Sequence, residues 1–279
     1  MSREAEQPGS RRPASTHTSA GPTPPPEILD LEWLSHLRLV VFDLDGTLID
    51  SLPQIHAAVN ETRERYGGKQ VSPNTVKSAI GRGARWLSRQ LFSELIPGGN
   101  RADSTVDPDF ERQLDQIHQV FIEIYAACSV DRLTPDSEIP WRTNARPLLD
   151  QIEALGMKNA LLTNKPLALT EQILSATATS ALFLEVRSPE NSPAAKPDPR
   201  SLTDLIAACG VTKEESLFVG DSVVDFETGR RAGVATVGIR GGYLGEGEPP
   251  PLHWFEDPGQ LGDWLAMRTV SPELREDSP

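Results

Sequence analysis

Cysteine is scarce in this sequence, which has Cys128 and Cys209 among 279 residues. Each lies in an apolar stretch with helical spacing. Two cysteines in such positions form neither a disulfide framework nor a paired-cysteine zinc site. We expect two small buried thiols, which are compatible with a reducing cytoplasmic location.

Long apolar runs and basic clusters are also missing. No run approaches the roughly 18 apolar residues that span a bilayer, and the N-terminal segment lacks the apolar centre of a secretory signal. Lys and Arg number 27 against 40 Asp and Glu, which gives a formal charge of −13. Because nucleic acids and anionic membranes require concentrated Lys and Arg, we expect neither as a partner. Small anionic substrates are not excluded, since they respond to local groups.

Hydrophobic residues make up only 38% of the sequence, which indicates that part of the chain does not fold. Residues 1–28 are rich in Pro, Ser, Thr and Gly and end in PTPPP. Such a segment has little apolar surface to bury, so we expect a disordered N-terminal tail. Residues 271–279 are expected to be frayed.

Short apolar runs alternate with helical patterns through most of the remaining sequence. A continuous run rich in Val and Leu is typical of a strand buried on both faces. Strand–helix alternation predicts a parallel sheet covered on both sides, so we expect a three-layer, doubly wound α/β core over 29–52 and 141–270. The predicted strands are 37–42, 159–163, 181–186, 217–220 and 234–239, and the predicted helices are 145–155, 167–176, 201–209 and 223–232.

One insertion interrupts this alternation after the first predicted strand. Residues 53–140 show helical patterns, at 53–66, 84–96 and 109–128, and no convincing strand. Ser72 followed by Pro73 is typical of a further helix start. We predict that 53–140 form an α-helical cap domain.

Carboxylates follow two of the predicted strands. The segment VVFDLDGTL at 40–48 places Asp43 and Asp45 one residue apart, and FVGDSVVD at 218–225 supplies Asp221 and Asp225. Ligands of open parallel sheets bind beyond the carboxyl ends of the strands, where buried acids are costly unless a cation or a reaction needs them. Asp225 also has a simpler interpretation as an acid at a helix N-terminus.

Two further segments add groups that suit a phosphate. LLTNK at 161–165 ends a predicted strand with Thr163 and Asn164, whose hydroxyl and amide can donate to phosphate oxygens, as can the following helix N-terminus. AKPDP at 195–199 supplies a compact cation, Lys196.

These four segments, in this order, resemble the four motifs of the haloacid dehalogenase superfamily over 38–243. The resemblance implies a phosphatase in which Asp43 is the nucleophile and forms an aspartyl-phosphate. Asp45 would be the general acid to the leaving alcohol and then the base to water. Thr163 would hold the phosphoryl group, and Lys196 would neutralise its charge and that of Asp43.

The same resemblance implies Mg²⁺ as the cofactor. Its ligands would be the side chains of Asp43 and Asp221 and the backbone carbonyl of Asp45. Asp225 would support this metal shell or contact Lys196. A hard divalent cation would relieve the repulsion between a carboxylate nucleophile and a phosphate dianion.

The predicted cap contains a candidate for a second anion site. Gly81 and Gly83 flank Arg82 before a predicted helix, so backbone N–H groups and one positive charge could bind an anion there. A Gly-rich break between two helices is the simpler interpretation. The loop resembles that of the phosphoglycolate phosphatase branch, which implies 2-phosphoglycolate, an ester with a phosphate and a carboxylate, as the small-molecule substrate.

Other functions share the same residues. A phosphosugar mutase would return the phosphoryl group to substrate, and a phosphatase could instead act on sugar phosphates, amino-sugar phosphates or pyrophosphate. A non-catalytic binding protein is disfavoured because Asp43, Asp45, Lys196 and Asp221 are all present. The five histidines show no metal-ligand spacing, so we expect them at the surface or in packing. The oligomeric state cannot be read from the sequence.

Overall fold

A six-stranded parallel sheet forms the centre of the computed structural model, which describes residues 31–98, 107–130, 141–243 and 249–267. The strand order is β3-β2-β1-β4-β5-β6, and every neighbouring pair is parallel. From β1 the chain adds β2 and β3 on one side and then β4, β5 and β6 on the other. The topological switch point therefore lies between β1 and β4, where an open sheet of this kind binds its ligands. The strands are β1 (Leu39–Phe42), β2 (Lys158–Leu162), β3 (Phe183–Arg187), β4 (Ser216–Gly220), β5 (Ala235–Ile239) and β6 (Trp254–Phe255).

Helices cover both faces of the sheet. Along β1, Val40 and Phe42 enter one apolar cluster and Leu39 and Val41 enter another, as the alternation of a strand requires. The first cluster includes residues of α1 (Leu31–His36), α6 (Ala145–Ala154), α7 (Leu167–Ala176) and α10 (Pro258–Ala266), and the second includes residues of α8 (Arg200–Ala208), which contacts α9 (Val223–Ala232). The predicted three-layer α/β core is confirmed.

Among the described residues, four α-helices lie between β1 and α6 and share an apolar cluster, to which Leu169 of α7 and Tyr243 also belong. The central pair, α2 and α5, pack against each other, and α4 packs on α5. The predicted helical cap is confirmed as part of the fold. Its helices are α2 (Leu52–Arg65), α3 (Pro73–Lys77), α4 (Ala84–Phe92) and α5 (Pro108–Val130).

Some sequence predictions of element bounds were wrong. The helix expected over 84–96 ends at Phe92 and continues as a 3₁₀ turn, Ser93–Leu95. The strand expected from 181 begins at Phe183, because Ser180–Leu182 form another 3₁₀ turn. The sequence also missed β6, since its two residues are too short to form a recognisable apolar run.

Several predictions fall where the structure is not described. The tail at 1–28, the C-terminal 271–279 and the end of the predicted cap, 131–140, lie outside the described ranges. The proposed domain limits therefore stay predictions. Across the described part of the chain, no helix combines the length and apolar character that crossing a bilayer requires.

Candidate active site

Asp43 is the first residue after β1 and is almost fully buried. Its backbone N–H donates to the carbonyl of Val219 in β4, 2.9 Å away, which fixes it at the switch point of the sheet. Gly46 then turns the chain with φ 90°, a conformation that residues with a side chain rarely adopt. A Cβ at Gly46 would lie 2.5 Å from Asp221 Oδ2, so glycine also allows the two loops to approach.

Lys196 joins two of these acids. Its Nζ lies 2.8 Å from Asp43 Oδ1 and 2.6 Å from Asp225 Oδ1. Burial alone would lower the pKa of Lys196, but the charges of Asp225 and Asp43 outweigh burial and hold the pKa above its usual value. The lysine therefore stays positively charged beside Asp43.

Asp225 uses both carboxylate oxygens in contacts within the protein. Oδ1 accepts from Lys196, and Oδ2 accepts from the N–H of Ser222, at 3.1 Å, and from its hydroxyl, at 2.6 Å. Ser222 and Asp225 form a capping box at the start of α9. The structure thus places Asp225 both as a helix-start acid and as a partner of Lys196.

Asp221 lies opposite Asp43 and is held by two donors. Thr47 Oγ1 donates to Oδ1 at 3.0 Å, and the N–H of Tyr243 donates to Oδ2 at 2.6 Å. Burial raises the pKa of both Asp43 and Asp221, and the nearby charge of Asp225 raises both further, while Lys196 opposes the rise at Asp43. The negative charges of these two carboxylates are therefore only partly compensated within the protein.

A metal ion fits this arrangement. One oxygen from each of Asp43, Asp221 and Asp225 lies within 4.8 Å of the others. Lys196 neutralises one of the three carboxylates, so net negative charge remains in a buried site. Hard divalent cations prefer such oxygen ligands and would relieve the cost of burying this charge.

Asn164 fixes the position of Lys196 and contacts the cap. Its amide nitrogen donates to the carbonyl of Lys196 at 2.9 Å and to that of Gly81 at 3.0 Å, and its oxygen accepts from the N–H of Lys196 at 2.9 Å. These contacts occupy the side chain that the sequence assigned to the substrate. Thr163 is buried beside it, and its hydroxyl accepts from the N–H of Lys165 at 3.2 Å.

Lys165 is a site residue that sequence reasoning missed. Its Nζ donates to both oxygens of Asp45, at 3.0 and 3.3 Å, and to the hydroxyl of Tyr125 on α5 of the cap. Burial alone would lower the pKa of Lys165, but Asp45 and Tyr125 outweigh burial and raise it. The lysine was visible in LLTNK, but a lysine at a strand end is usually solvated. Nothing in the sequence singled out Tyr125.

Tyr243 is a second missed residue, and it connects Asp221 with the start of the cap. Besides its N–H contact with Asp221, its hydroxyl accepts from the N–H of Leu52 at 2.9 Å and donates to Asp50 at 2.9 Å. Asp50 and Leu52 lie where the chain leaves the core for α2. The position of Asp221 is therefore coupled to this connection.

A cleft between core and cap opens onto Asp43 and Asp45 and encloses about 470 Å³ of space not filled by protein atoms, including open solvent. Gly81 and Gly83 line it, whereas Arg82 is absent from the lining and its guanidinium lies 5.3 Å from the centre of the Trp86 ring. The core contributes Asp43, Asp45, Thr163, Asn164, Lys165 and Pro166, and the cap also contributes Ile55, Ile80, Ala84, Leu87, Phe121 and Tyr125.

Comparison with known proteins agrees with this geometry. Residues 40–239 match the family of haloacid dehalogenase-like hydrolases. A phosphoglycolate phosphatase of Rhodospirillum rubrum is 33% identical over 232 residues, which cover 82% of this chain and 91% of that protein. An N-acetylmuramic acid 6-phosphate phosphatase of Pseudomonas aeruginosa is 29% identical, covering 79% and 89%.

A solved structure shows the same architecture. The crystal structure of a predicted phosphoglycolate phosphatase from Haemophilus somnus is 28% identical, superposes with a TM-score of 0.67, and covers 81% of this chain and 96% of its own. The family match spans more than half of the sequence and includes every predicted catalytic position. This chain therefore belongs to the haloacid dehalogenase-like hydrolases, in the phosphoglycolate phosphatase-like branch of the phosphoric monoester hydrolases.

Proposed function

We propose that this enzyme hydrolyses 2-phosphoglycolate, with Mg²⁺ as cofactor and Asp43 as the nucleophile. The observation that carries the proposal is the buried pair of Asp43 and Lys196, which faces Asp221 at the carboxyl end of the central strands. Few groups are needed beyond these, because phosphoryl transfer depends mainly on positioning and charge stabilisation.

The nucleophile is held for attack at phosphorus. Asp43 Oδ1 accepts from Lys196, which leaves Oδ2 to form the new bond as the bond to the ester oxygen breaks. Thr163 would hold the phosphoryl group, and Lys196 would offset the charge that gathers there. The product of this step is an aspartyl-phosphate on Asp43 and an alcohol.

Asp45 would move the proton in both halves of the reaction. Its carboxylic acid gives a proton to the departing ester oxygen, and the resulting carboxylate takes one from the water that attacks the aspartyl-phosphate. Asp45 lines the cleft, so it can reach both the ester and water. Inorganic phosphate is released, and Asp43 is regenerated.

Mg²⁺ would be held by the side chains of Asp43 and Asp221 and by the backbone carbonyl of Asp45. When bound, it offsets the repulsion between the carboxylate of Asp43 and the phosphate dianion. Asp225 would act through Lys196 instead, since its Oδ1 pairs with that lysine and its Oδ2 caps the start of α9.

The substrate assignment draws on the relatives and on the cleft. Phosphoglycolate phosphatases at 30–34% identity match most of this chain, and the cleft can hold a small ester. The backbone of Gly81 and Gly83 stays a proposed contact for the substrate, whereas Arg82 would have to leave Trp86 to reach it. The Pseudomonas aeruginosa relative makes an amino-sugar phosphate the second candidate.

A panel of phosphate compounds, with and without Mg²⁺, tests the proposal. It should contain 2-phosphoglycolate, glucose 6-phosphate, N-acetylmuramic acid 6-phosphate and pyrophosphate. We expect kcat/KM for 2-phosphoglycolate to exceed the others by about tenfold or more, and to collapse without the metal. A sugar phosphate or pyrophosphate ahead by that margin would refute the substrate. Isomerisation of a sugar phosphate that requires a bisphosphate would identify a mutase instead.

A further inference from the structure

The buried amino group of Lys165 joins the core to the cap. Lys165 follows β2 and its side chain is 2% exposed. It contacts Asp45 in the core and the hydroxyl of Tyr125 on α5, and Nζ lies 4.5 Å from the centre of the Tyr125 ring. All three residues line the cleft. The lysine is therefore held at the boundary where substrate enters.

Lys165 is also the one cationic side chain among the described residues that line the cleft. Lys196 is committed to Asp43 and Asp225, and the guanidinium of Arg82 lies against Trp86. The cap wall that surrounds Tyr125 is mainly apolar, with Ile55, Ile80, Leu87 and Phe121. A second anionic group on the substrate would therefore meet one strong partner in this part of the cleft.

The position of Lys165 suits a small ester. It lies two residues after Thr163, the proposed phosphate contact, in the same loop. A phosphate at Thr163 and a carboxylate at Lys165 would consequently be neighbours, as the two-carbon skeleton of 2-phosphoglycolate requires.

The amino group of Lys165 binds a carboxylate of the protein itself, that of Asp45. Both oxygens of Asp45 accept from Lys165, at 3.0 and 3.3 Å. The amino group of Lys165 therefore already binds one carboxylate in this cleft. A second carboxylate beside Lys165 would compete for the same amino group.

We propose that Lys165, positioned by Tyr125, binds the carboxylate of the substrate and so holds it beside the phosphate. The inference rests on the proposed function and makes Lys165 the residue that selects anionic esters. An ester without the second anion leaves Lys165 on Asp45.

The test compares 2-phosphoglycolate with ethyl phosphate, in which a methyl group replaces the carboxylate. The variant Lys165→Met removes the charge and keeps the length of the side chain. Lys158→Met is a matched control, since Lys158 is an exposed lysine that starts the same strand, β2. Tyr125→Phe removes the hydroxyl that positions Lys165 and keeps the ring. Thermal unfolding of each variant establishes that it is folded.

We expect the ratio of kcat/KM for 2-phosphoglycolate to that for ethyl phosphate to fall about tenfold or more in Lys165→Met, the size of a charge-assisted hydrogen bond. The KM for 2-phosphoglycolate should rise in the same variant. Tyr125→Phe should lower the ratio less, and Lys158→Met should leave it unchanged.

Two results would overturn the inference. Equal losses on both esters in a folded Lys165→Met would mean that Lys165 acts only through Asp45 or through packing, while 2-phosphoglycolate stays the substrate. A wild-type enzyme that prefers ethyl phosphate would reject both the proposed substrate and the carboxylate site, and this is visible before any variant is made.

Discussion

Lys196 Nζ lies 2.8 Å from Asp43 Oδ1, and both side chains are buried at the carboxyl end of the sheet. The same Nζ lies 2.6 Å from Asp225, the acid that caps α9. One cation thus pairs with the proposed nucleophile and with the acid at the start of a helix. Its loss would leave two buried carboxylates without their shared partner.

The first prediction concerns Lys196→Met. Removing one member of a buried ion pair leaves an uncompensated charge, so we expect the free energy of unfolding to fall by about 3–5 kcal/mol. Urea denaturation of the metal-free protein measures it. The control Lys158→Met removes an exposed lysine and should change stability by about 0.5 kcal/mol or less. Equal effects in the two variants would contradict a stabilising role for the buried lysine.

The second prediction concerns Asp43→Asn. The amide cannot form the aspartyl-phosphate, so turnover should fall roughly 10³-fold or more. Acid quenching of the wild type with a ³²P-labelled substrate should trap labelled protein, and the variant should trap none. Asp150→Asn, which changes an exposed acid on α6, is the control and should retain both activity and label. Activity of Asp43→Asn within tenfold of the wild type would rule out covalent catalysis at this residue.

The third prediction concerns Gly242→Ala. A Cβ at this position would lie 2.2 Å from the side chain of Asp221, so the carboxylate of Asp221 must shift from its present position. We expect the Mg²⁺ concentration for half-maximal activity to rise about 10- to 100-fold, as when the supports of a metal ligand are lost. Gly156→Asn is the control, because Gly156 has open space around it and Asn tolerates its left-handed backbone. An unchanged Mg²⁺ requirement in a folded Gly242→Ala would exclude Asp221 as a ligand.

The fourth prediction concerns His118 in the cap. Burial lowers the pKa of His118, Arg85 lowers it further and Asp115 opposes them, while Ser88 lies 2.8 Å from Nδ1. As pH falls, the unfolded chain, whose histidine pKa is about 6.5, therefore binds the proton at a higher pH than the folded protein does. Stability present above that pH is therefore lost as pH falls toward the lower pKa of the folded state.

Urea denaturation at pH 7.5 and pH 5.5 measures this loss. His118→Gln should reduce the difference in unfolding free energy between the two pH values, because it removes the titrating group. His36→Gln, at the exposed end of α1, should leave this difference unchanged. If the two variants respond to pH alike, His118 is not the source of the acid sensitivity.

Much of the candidate site could be predicted because each residue follows a recognisable strand. Asp43 follows β1, Thr163 follows β2 and Asp221 follows β4, and the structure brings all three to one edge of the sheet. Parallel strands end on the same side, so apolar runs followed by polar groups locate such a site without coordinates. Lys196 had no strand of its own and was found only by its likeness to a motif.

Other side chains could not be placed in this way. Asn164 looked like a phosphate donor, yet its amide is occupied by Lys196 and Gly81. Arg82 looked like a cleft cation, yet its guanidinium lies over Trp86. A side chain forms contacts with the groups that the folded chain brings near it, and those groups can lie far away in sequence.

The sequence by itself determined the sheet, the helical insertion and the acids at the strand ends, because these depend on local periodicity and on the shared direction of parallel strands. Only the tertiary structure decided which cation lines the cleft and what each acid contacts. Across the boundary between core and cap, Lys165 meets Tyr125, and Tyr243 meets Leu52 at the start of α2. Such contacts depend on how two separately packed clusters meet, and no local pattern in the sequence encodes that geometry.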